Sequence, residues 1–457
     1  MTTAPEATSE RASLIDTIAV YTRPRVLVVS FLGFSAGLPL ALSGSTLLFW
    51  MREAGVDLKT IGIFALAGTP YTVKFLWAPF IDALDVPVLS PLLGRRRGWL
   101  LLSQILLIAA IVFLGLCDPT TAPALVAVGA LLVAAASATQ DILIDAFRVE
   151  SLSESEQAAG MASYVAAYRI GMLISGAGAL FLVTGMENLG FGQHGAWAAA
   201  YAIMAACVLI GIATTFCATE PEKSAAANVD HAMHAKENPL QRVAEEAIAA
   251  FSEFLTRDMA VVALVFVVLF KLSDAFAGLM TAPFVIDIGF SRDEYAAIVK
   301  GVGLAATLIG GFAGGFVARA YPLATSLWIG GILQSVANLA FSWLALAGAS
   351  TTALTVAITT ENFTSAIGTV IFVAYLSALC RNPLYTATQY ALLTALAAFA
   401  RTYLSSSAGF VAYATGWVWF FVICAAVGVP SLLLLGFLQR SGHFIELDRE
   451  HDRQPKT

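Results

Sequence analysis

Twelve apolar stretches, each long enough to cross a bilayer, follow one another along this 457-residue chain, and the charges within them keep to certain stretches. The stretches run at roughly 26–51, 59–83, 98–117, 122–147, 157–184, 197–217, 259–286, 293–320, 322–348, 352–380, 384–411 and 414–439. Ionisable residues sit in the second (Lys74), fourth (Asp141, Asp145), fifth (Arg169), seventh (Lys271, Asp274), eighth (Lys300), tenth (Glu361) and eleventh (Arg401). The third, sixth, ninth and twelfth carry none. A charge at the centre of a membrane helix costs about 2.5–3.5 kcal/mol, so this set left in lipid would cost on the order of 20 kcal/mol. Such residues persist only against protein or a wet cavity. Every third span therefore reads as a lipid-facing strut, and the others enclose a polar passage, which is the pattern of a transporter.

Composition agrees. The chain is 58% hydrophobic and 12% charged, with a mean hydropathy of +0.79. A soluble domain carries about twice that charged fraction. The expected fold is an all-α membrane protein of twelve transmembrane helices in two pseudo-symmetric six-helix halves, with no room for a large soluble domain. The net charge of −6 points to neither nucleic acid nor anionic lipid. Of the 25 Lys and Arg, 17 fall in segments on the side of the N-terminus and three (Arg52, Lys59, Arg292) in the opposite loops. Positive charge stays inside, so both termini are expected in the cytoplasm. The first 25 residues lack the apolar core of a signal peptide. The five cysteines contain no C-x-x-C pair, and no metal or other cofactor is expected; His231 and His234 alone in a polar segment rarely bind metal.

The expected organisation is a cytoplasmic segment 1–25, a six-helix bundle 26–218, a linker 219–257, a second bundle 258–439 and a tail 440–457. Within the linker, apolar positions from Pro239 to Leu255 recur at helical spacing between charges, predicting a helix on the inner membrane face. Glu53-Ala-Gly55 recurs as Asp287-Ile-Gly289, 234 residues on, and Tyr168-Arg169 recurs loosely at Phe399 and Arg401. The near-equal offsets indicate a duplicated unit, the architecture of the Major Facilitator Superfamily. Asp57 is an expected N-cap of the second span, and Ser291 with Glu294 is a capping box for the eighth. Gly310, Gly311, Gly314 and Gly315 make two overlapping G-x-x-x-G pairs that suit close helix packing.

Asp82 and the basic turn Arg95, Arg96 and Arg97 resemble the superfamily's cytoplasmic latch, although an insert with Pro87 and Pro91 separates them. Asp145 stands where it could pair with that turn; ordinary topology-setting charge is the plainer alternative. Asp141 lies one turn deeper on the same helix face, with Gln140 beside it. It is either a proton carrier or a static partner of Lys74 or Arg169. Lys271 and Asp274 are one turn apart and read as an internal ion pair able to exchange partners. Glu361, beside Asn362, has no obvious partner on its own helix, which makes it a second candidate for proton coupling. Lys74, Arg169, Lys271, Lys300 and Arg401 outnumber Asp141, Asp274 and Glu361, so the passage favours an anion, which arginine grips bidentately. Tyr168 belongs to a set of tyrosines on these spans that suits packing or stacking on sugar rings.

Longer motifs narrow the family. Ser137-Ala-Thr-Gln-Asp141-Ile-Leu-Ile-Asp145, Lys74-Phe-Leu-Trp77-Ala-Pro79, Gly94-Arg-Arg-Arg-Gly-Trp99, Tyr168-Arg169-Ile-Gly, Lys271-Leu-Ser-Asp274, Glu361-Asn362 and Thr386-Ala-Thr-Gln389 resemble the AmpG-type muropeptide permeases. The resemblance implies a multi-pass protein of the bacterial inner membrane. It implies proton-driven import of anhydro-muropeptides for peptidoglycan recycling, which in many bacteria feeds β-lactamase induction. The implied ligand-facing set is Lys74, Gln140, Arg169, Lys271, Lys300, Asn362, Gln389, Arg401 and Tyr168, with Asp141, Glu361 and Asp274 for protons. A monomer is expected. The rivals are an acetyl-CoA or other organic-anion transporter of the same fold, and a non-transporting assembly factor. No nucleophile–base set or H-E-x-x-H supports an enzyme.

Overall fold

The computed structural model describes residues 20–221, 252, 254–380, 386–445 and 447. Nearly all of the expected inner-face helix over 239–255, with the linker histidines, lies outside them. Ten described helical stretches are long and apolar enough to span a membrane. In the first half these are α1 (Pro24–Glu53), α3 (Arg95–Leu116), α4 (Pro123–Ser151), α5 (Ala159–Asn188) and α6 (Gln193–Cys217). In the second they are α7 (Ala260–Ile288), α8 (Arg292–Ala320), α9 (Leu323–Ala347), α10 (Thr351–Leu379) and Leu392–Arg440. The last is 49 residues long. At 1.5 Å per residue it would reach more than twice the roughly 30 Å of a bilayer core. It divides at Gly416, whose φ of 72° and ψ of 167° no helix contains, into α11 (386–415) and α12 (417–440). The second apolar stretch, expected as one helix, is instead a chain of short turns over 58–83, termed α2. Helical pieces Leu58–Ile63, Thr69–Val73 and Ala78–Ala83 alternate there with 3₁₀ turns Phe64–Gly68 and Lys74–Leu76. Pro70 and Pro79 lack the N–H that an unbroken ladder needs.

The caps form as the sequence indicates. The Asp57 carboxylate accepts from the backbone N–H groups of Lys59 and Thr60, and the Ser291–Glu294 box is complete at the start of α8. A further box, Ser153 with Glu156, opens the helix that leads into α5. There the Arg23 guanidinium and the Ser153 groups hold the Glu156 carboxyl well below its usual range, at about 2. Of the two glycine pairs in α8, Gly310 and Gly314 lie where a Cβ would strike α10 at Phe363 and Ile367. Gly311 and Gly315 face open space. One glycine ridge therefore packs and the other does not.

Three large cores organise the described residues. The largest joins both halves at the end where α1 meets α2, with Trp50, Trp197 and Tyr201 packed in one cluster with Phe284, Tyr295 and Phe421. Toward the opposite end each half has a core of its own: Ile81, Leu100 and Phe147 in the first half, and Phe266, Ile371 and Tyr375 in the second. Side-chain hydrogen bonds and ion pairs between the halves come from α1, α2, α5, α7, α8 and α11. Among the described residues the third, sixth, ninth and twelfth spans contribute to none of these hydrogen bonds and ion pairs.

Candidate functional site

The basic residues of the passage sit where helices depart from α geometry. Lys74 opens the 3₁₀ turn Lys74–Leu76, and Lys271 is the junction between helical runs Ala260–Phe270 and Leu272–Ile288. Lys300 lies in the π-helical run Tyr295–Val302 and Arg401 in another, Ala400–Leu404. Arg169 precedes a third, Ile174–Gly178. The π-helical turns are rare and concentrate at functional sites, where backbone groups freed from the α ladder face protein or a wet cavity and not lipid.

A cavity of about 270 Å³ lies between the halves. Four expected residues line it together: Arg169 from α5, Lys300 from α8, and Glu361 and Asn362 from α10. Ser45, Thr281, Tyr295 and Thr307 complete its polar wall. Lys300 Nζ donates to Ser45 Oγ at 2.6 Å, crossing from one half to the other. Ser45 reaches it because α1 breaks at Ser43 and Gly44, one turn after Pro39. Asn362 donates to Glu361 at 2.9 Å and accepts from Thr307 at 3.2 Å. Close by, Lys271 and Asp274 form the expected pair at 2.6 Å. Thr369 accepts from Lys271, and Ser365 donates to Asp274. Glu361 is near enough to both to feel their charges.

A second group belongs to the first half. Asp141 is near Lys74 and Asp145, but no ion pair forms to Lys74 or Arg169, and its buried Oδ1 has no hydrogen-bond partner among the described residues. Gln140 is buried and donates to Ser35 at 3.3 Å. Tyr168 packs on Tyr164, with ring centroids 5.9 Å apart. Arg401 is exposed on α11. Gln389, twelve residues from Arg401 and so about 18 Å away along a helix, does not line the central cavity. It accepts from Arg257 and lines a separate, apolar cavity of about 360 Å³.

The basic turn is bound within the first half. Glu150 takes the Arg96 guanidinium, while the Glu220 carboxylate accepts from the backbone N–H groups of Arg96 and Arg97 and caps α3. The Arg97 side chain ends on the carbonyls of Thr215 and Phe216. Asp145 pairs with Arg148, its i,i+3 neighbour on the same helix, 3.6 Å away. Arg95 stands half-buried at the start of α3, and the side chain of Asp82 lies outside the described set.

The charges at the opposite end, ordinary loop residues by sequence, join the halves. Asp287 receives Arg52 through two bonds of 2.5 and 2.8 Å and the Trp417 indole at 3.0 Å. Glu53, its counterpart in the duplicated motif, receives Arg292 at 2.6 Å and the Trp197 indole at 3.0 Å. Arg292 also grips Glu187 through two bonds, and Thr184 donates to Asp293. Each duplicated acid thus holds a tryptophan of its own half and an arginine of the other. The repeated acid was the one available signal. Ser45, Ser365 and Thr369 had none, since hydroxyls in membrane helices commonly bond their own backbone.

Residues 29–404 match the model of the Major Facilitator Superfamily. The anhydromuropeptide permease of Escherichia coli K12 is 38% identical over 92% of this chain and 80% of its own length. The chain belongs to the AmpG-type permease family. A putative transporter AmpG 4 of Rickettsia felis is 35% identical over 91% of this chain and 97% of that protein. Among solved structures, a D-xylose–proton symporter superposes with a TM-score of 0.64 at 12% identity, covering 91% of this chain and 97% of that one. The nucleoside transporter NupG gives 0.64 at 14% identity, over 93% and 99%. These two show the fold alone. This AmpG-type chain is accordingly a multi-pass membrane transporter and not an enzyme, as the charge pattern indicated.

Proposed function

We propose that this protein imports anhydro-muropeptides across the bacterial inner membrane by proton symport and alternating access. The observation that carries the substrate is the 38% identity, over 92% of the chain, to a relative named for it. The same observation favours muropeptides over acetyl-CoA. The cavity is consistent with such a ligand, since Arg169 and Lys300 suit carboxylates while Asn362 and the hydroxyls suit sugar and peptide amides. The distribution of Lys and Arg supports cytoplasmic termini. The Glu53 end is then the outer face, and the arrangement described is one closed on that side.

In this reading Asp141 and Glu361, with Asp274, carry the proton. Asp141 is buried with an oxygen free of hydrogen bonds among the described residues, and Glu361 faces the cavity. A carboxyl group so placed can exchange a proton with a wet passage, and its charge decides whether neighbouring lysines are paired. Lys74, Gln140, Lys271, Tyr168 and Arg401 line the route on either side of the cavity. Gln389 acts near the inner end, where Glu150 and Glu220 hold Arg96 and Arg97 of the basic turn to the first half. The working unit is a monomer.

Uptake of labelled disaccharide anhydro-muropeptide into proteoliposomes tests the reading. Accumulation that requires an inwardly directed proton gradient is expected; absence of uptake by correctly folded protein would overturn it.

A further inference from the structure

The central cavity holds two cations from opposite halves, and neither is paired with a carboxylate among the described residues. Arg169, on α5, makes no hydrogen bond or ion pair among the described residues, although it lines the cavity. Lys300, on α8, has only the neutral Ser45 hydroxyl at 2.6 Å and the face of Tyr295 at 5.5 Å among the described residues. The one acid of the cavity wall, Glu361, is engaged by Asn362 and lies toward Lys271 and Asp274. Lys300 reaches Ser45 by crossing α5 at Gly176, where an added Cβ would lie 3.4 Å from the lysine stem. A hydroxyl is a weak partner for an ammonium group in a low-dielectric site, and a carboxylate in the same place bonds it roughly twice as strongly. Lys300 is therefore held by a placeholder that a ligand anion can replace.

We infer that Lys300 and Arg169 form a subsite for one carboxylate of the ligand, in which the anion displaces Ser45 as the partner of Lys300. The inference rests on the muropeptide reading and assigns it a recognition point: the acidic part of the ligand, not its sugar hydroxyls, is read here. Because Arg169 belongs to one half and Lys300 to the other, the bound carboxylate becomes the link between them. Ser45 is a competitor for the ligand, not a contact to it.

The test compares binding of an anhydro-muropeptide with that of the same compound whose carboxylates are converted to primary amides, by calorimetry on purified protein. Wild type is expected to prefer the acid. Lys300→Gln should weaken the acid about tenfold or more while leaving the amide little changed, and Lys300→Arg should retain the preference. Ser45→Ala keeps both cations and removes the competitor, so it should bind the acid as tightly as wild type or more tightly. A loss of acid affinity in Ser45→Ala, or an equal loss of acid and amide in Lys300→Gln, overturns the subsite and leaves the permease reading standing. Binding of neither compound by folded wild type overturns both.

Discussion

The Arg292 ties permit a quantitative experiment. Replacing Arg292 by Ala deletes three charge-assisted hydrogen bonds of 2.6, 2.6 and 2.9 Å. They join α8 to α1 and α5, and therefore exist only while the halves meet at this end. The side chains are about one-eighth (Arg292), one-fifth (Glu53) and one-third (Glu187) exposed, at 12%, 20% and 32%. Water thus screens them in part. Net values of about 1.5–3 kcal/mol apply to buried charged bonds and about 0.2–1 kcal/mol to exposed pairs. The set is then worth about 2–3 kcal/mol to the closed arrangement. At about 1.4 kcal/mol per tenfold, losing it shifts the equilibrium between closed and open roughly 30- to 150-fold toward opening at the Glu53 end. The assay is pulsed electron–electron resonance between spin labels at Thr121 and Ala349, both exposed and in loops of opposite halves at that end. The five free cysteines are replaced first. A longer-distance population should appear in Arg292→Ala and grow further when Asp287→Asn removes the partner of Arg52. An unchanged distance distribution in the double variant refutes the gating role of these charges.

Three further outcomes follow from the same geometry. Gly409→Leu should lower the melting temperature and abolish the α2–α11 approach, because a Cβ there would collide with the Leu58 carbonyl; overpacking of this kind costs about 1–3 kcal/mol, read by thermal unfolding in detergent. Neutralising Lys271 or Asp274 alone should destabilise more than Lys271→Gln with Asp274→Asn together, since a single change leaves a half-buried charge without its 2.6 Å partner; a double-mutant cycle on unfolding measures the coupling. Glu156 titrates at about 2 in the folded protein against an ordinary 4.5. Its tie to Arg23 thus adds stability above about pH 4.5 that is lost as pH falls toward 2, and Glu156→Gln should flatten unfolding profiles in that window.

Charge in an apolar context is conspicuous in a sequence, which is why Arg169, Lys300, Glu361 and Asn362 are legible without the cavity that unites them. The helix caps at Asp57 and Ser291 are legible because the donors and acceptors are local. Depth along a helix is harder to read. Gln389 carries a family-like motif, yet it lies about three turns' length along its run from Arg401 and lines another cavity. The π-helical turns under Lys300 and Arg401 leave no local signature, since they arise from packing against neighbouring helices. Arg52, Glu53, Asp287 and Arg292 look like ordinary loop charges, because nothing in a linear sequence says that two loops meet.

The division of the interior into one shared core and two private ones also has a mechanical meaning. Toward the end opposite Glu53, packing around Phe147 is internal to the first half and packing around Tyr375 is internal to the second. Neither needs the other half to hold its shape. Each half can thus swing as a stiff lever, with the work of the swing concentrated where the levers touch. Mutations at the private cores should act on whether a lever forms at all, whereas those along the shared core set how far and how readily it turns.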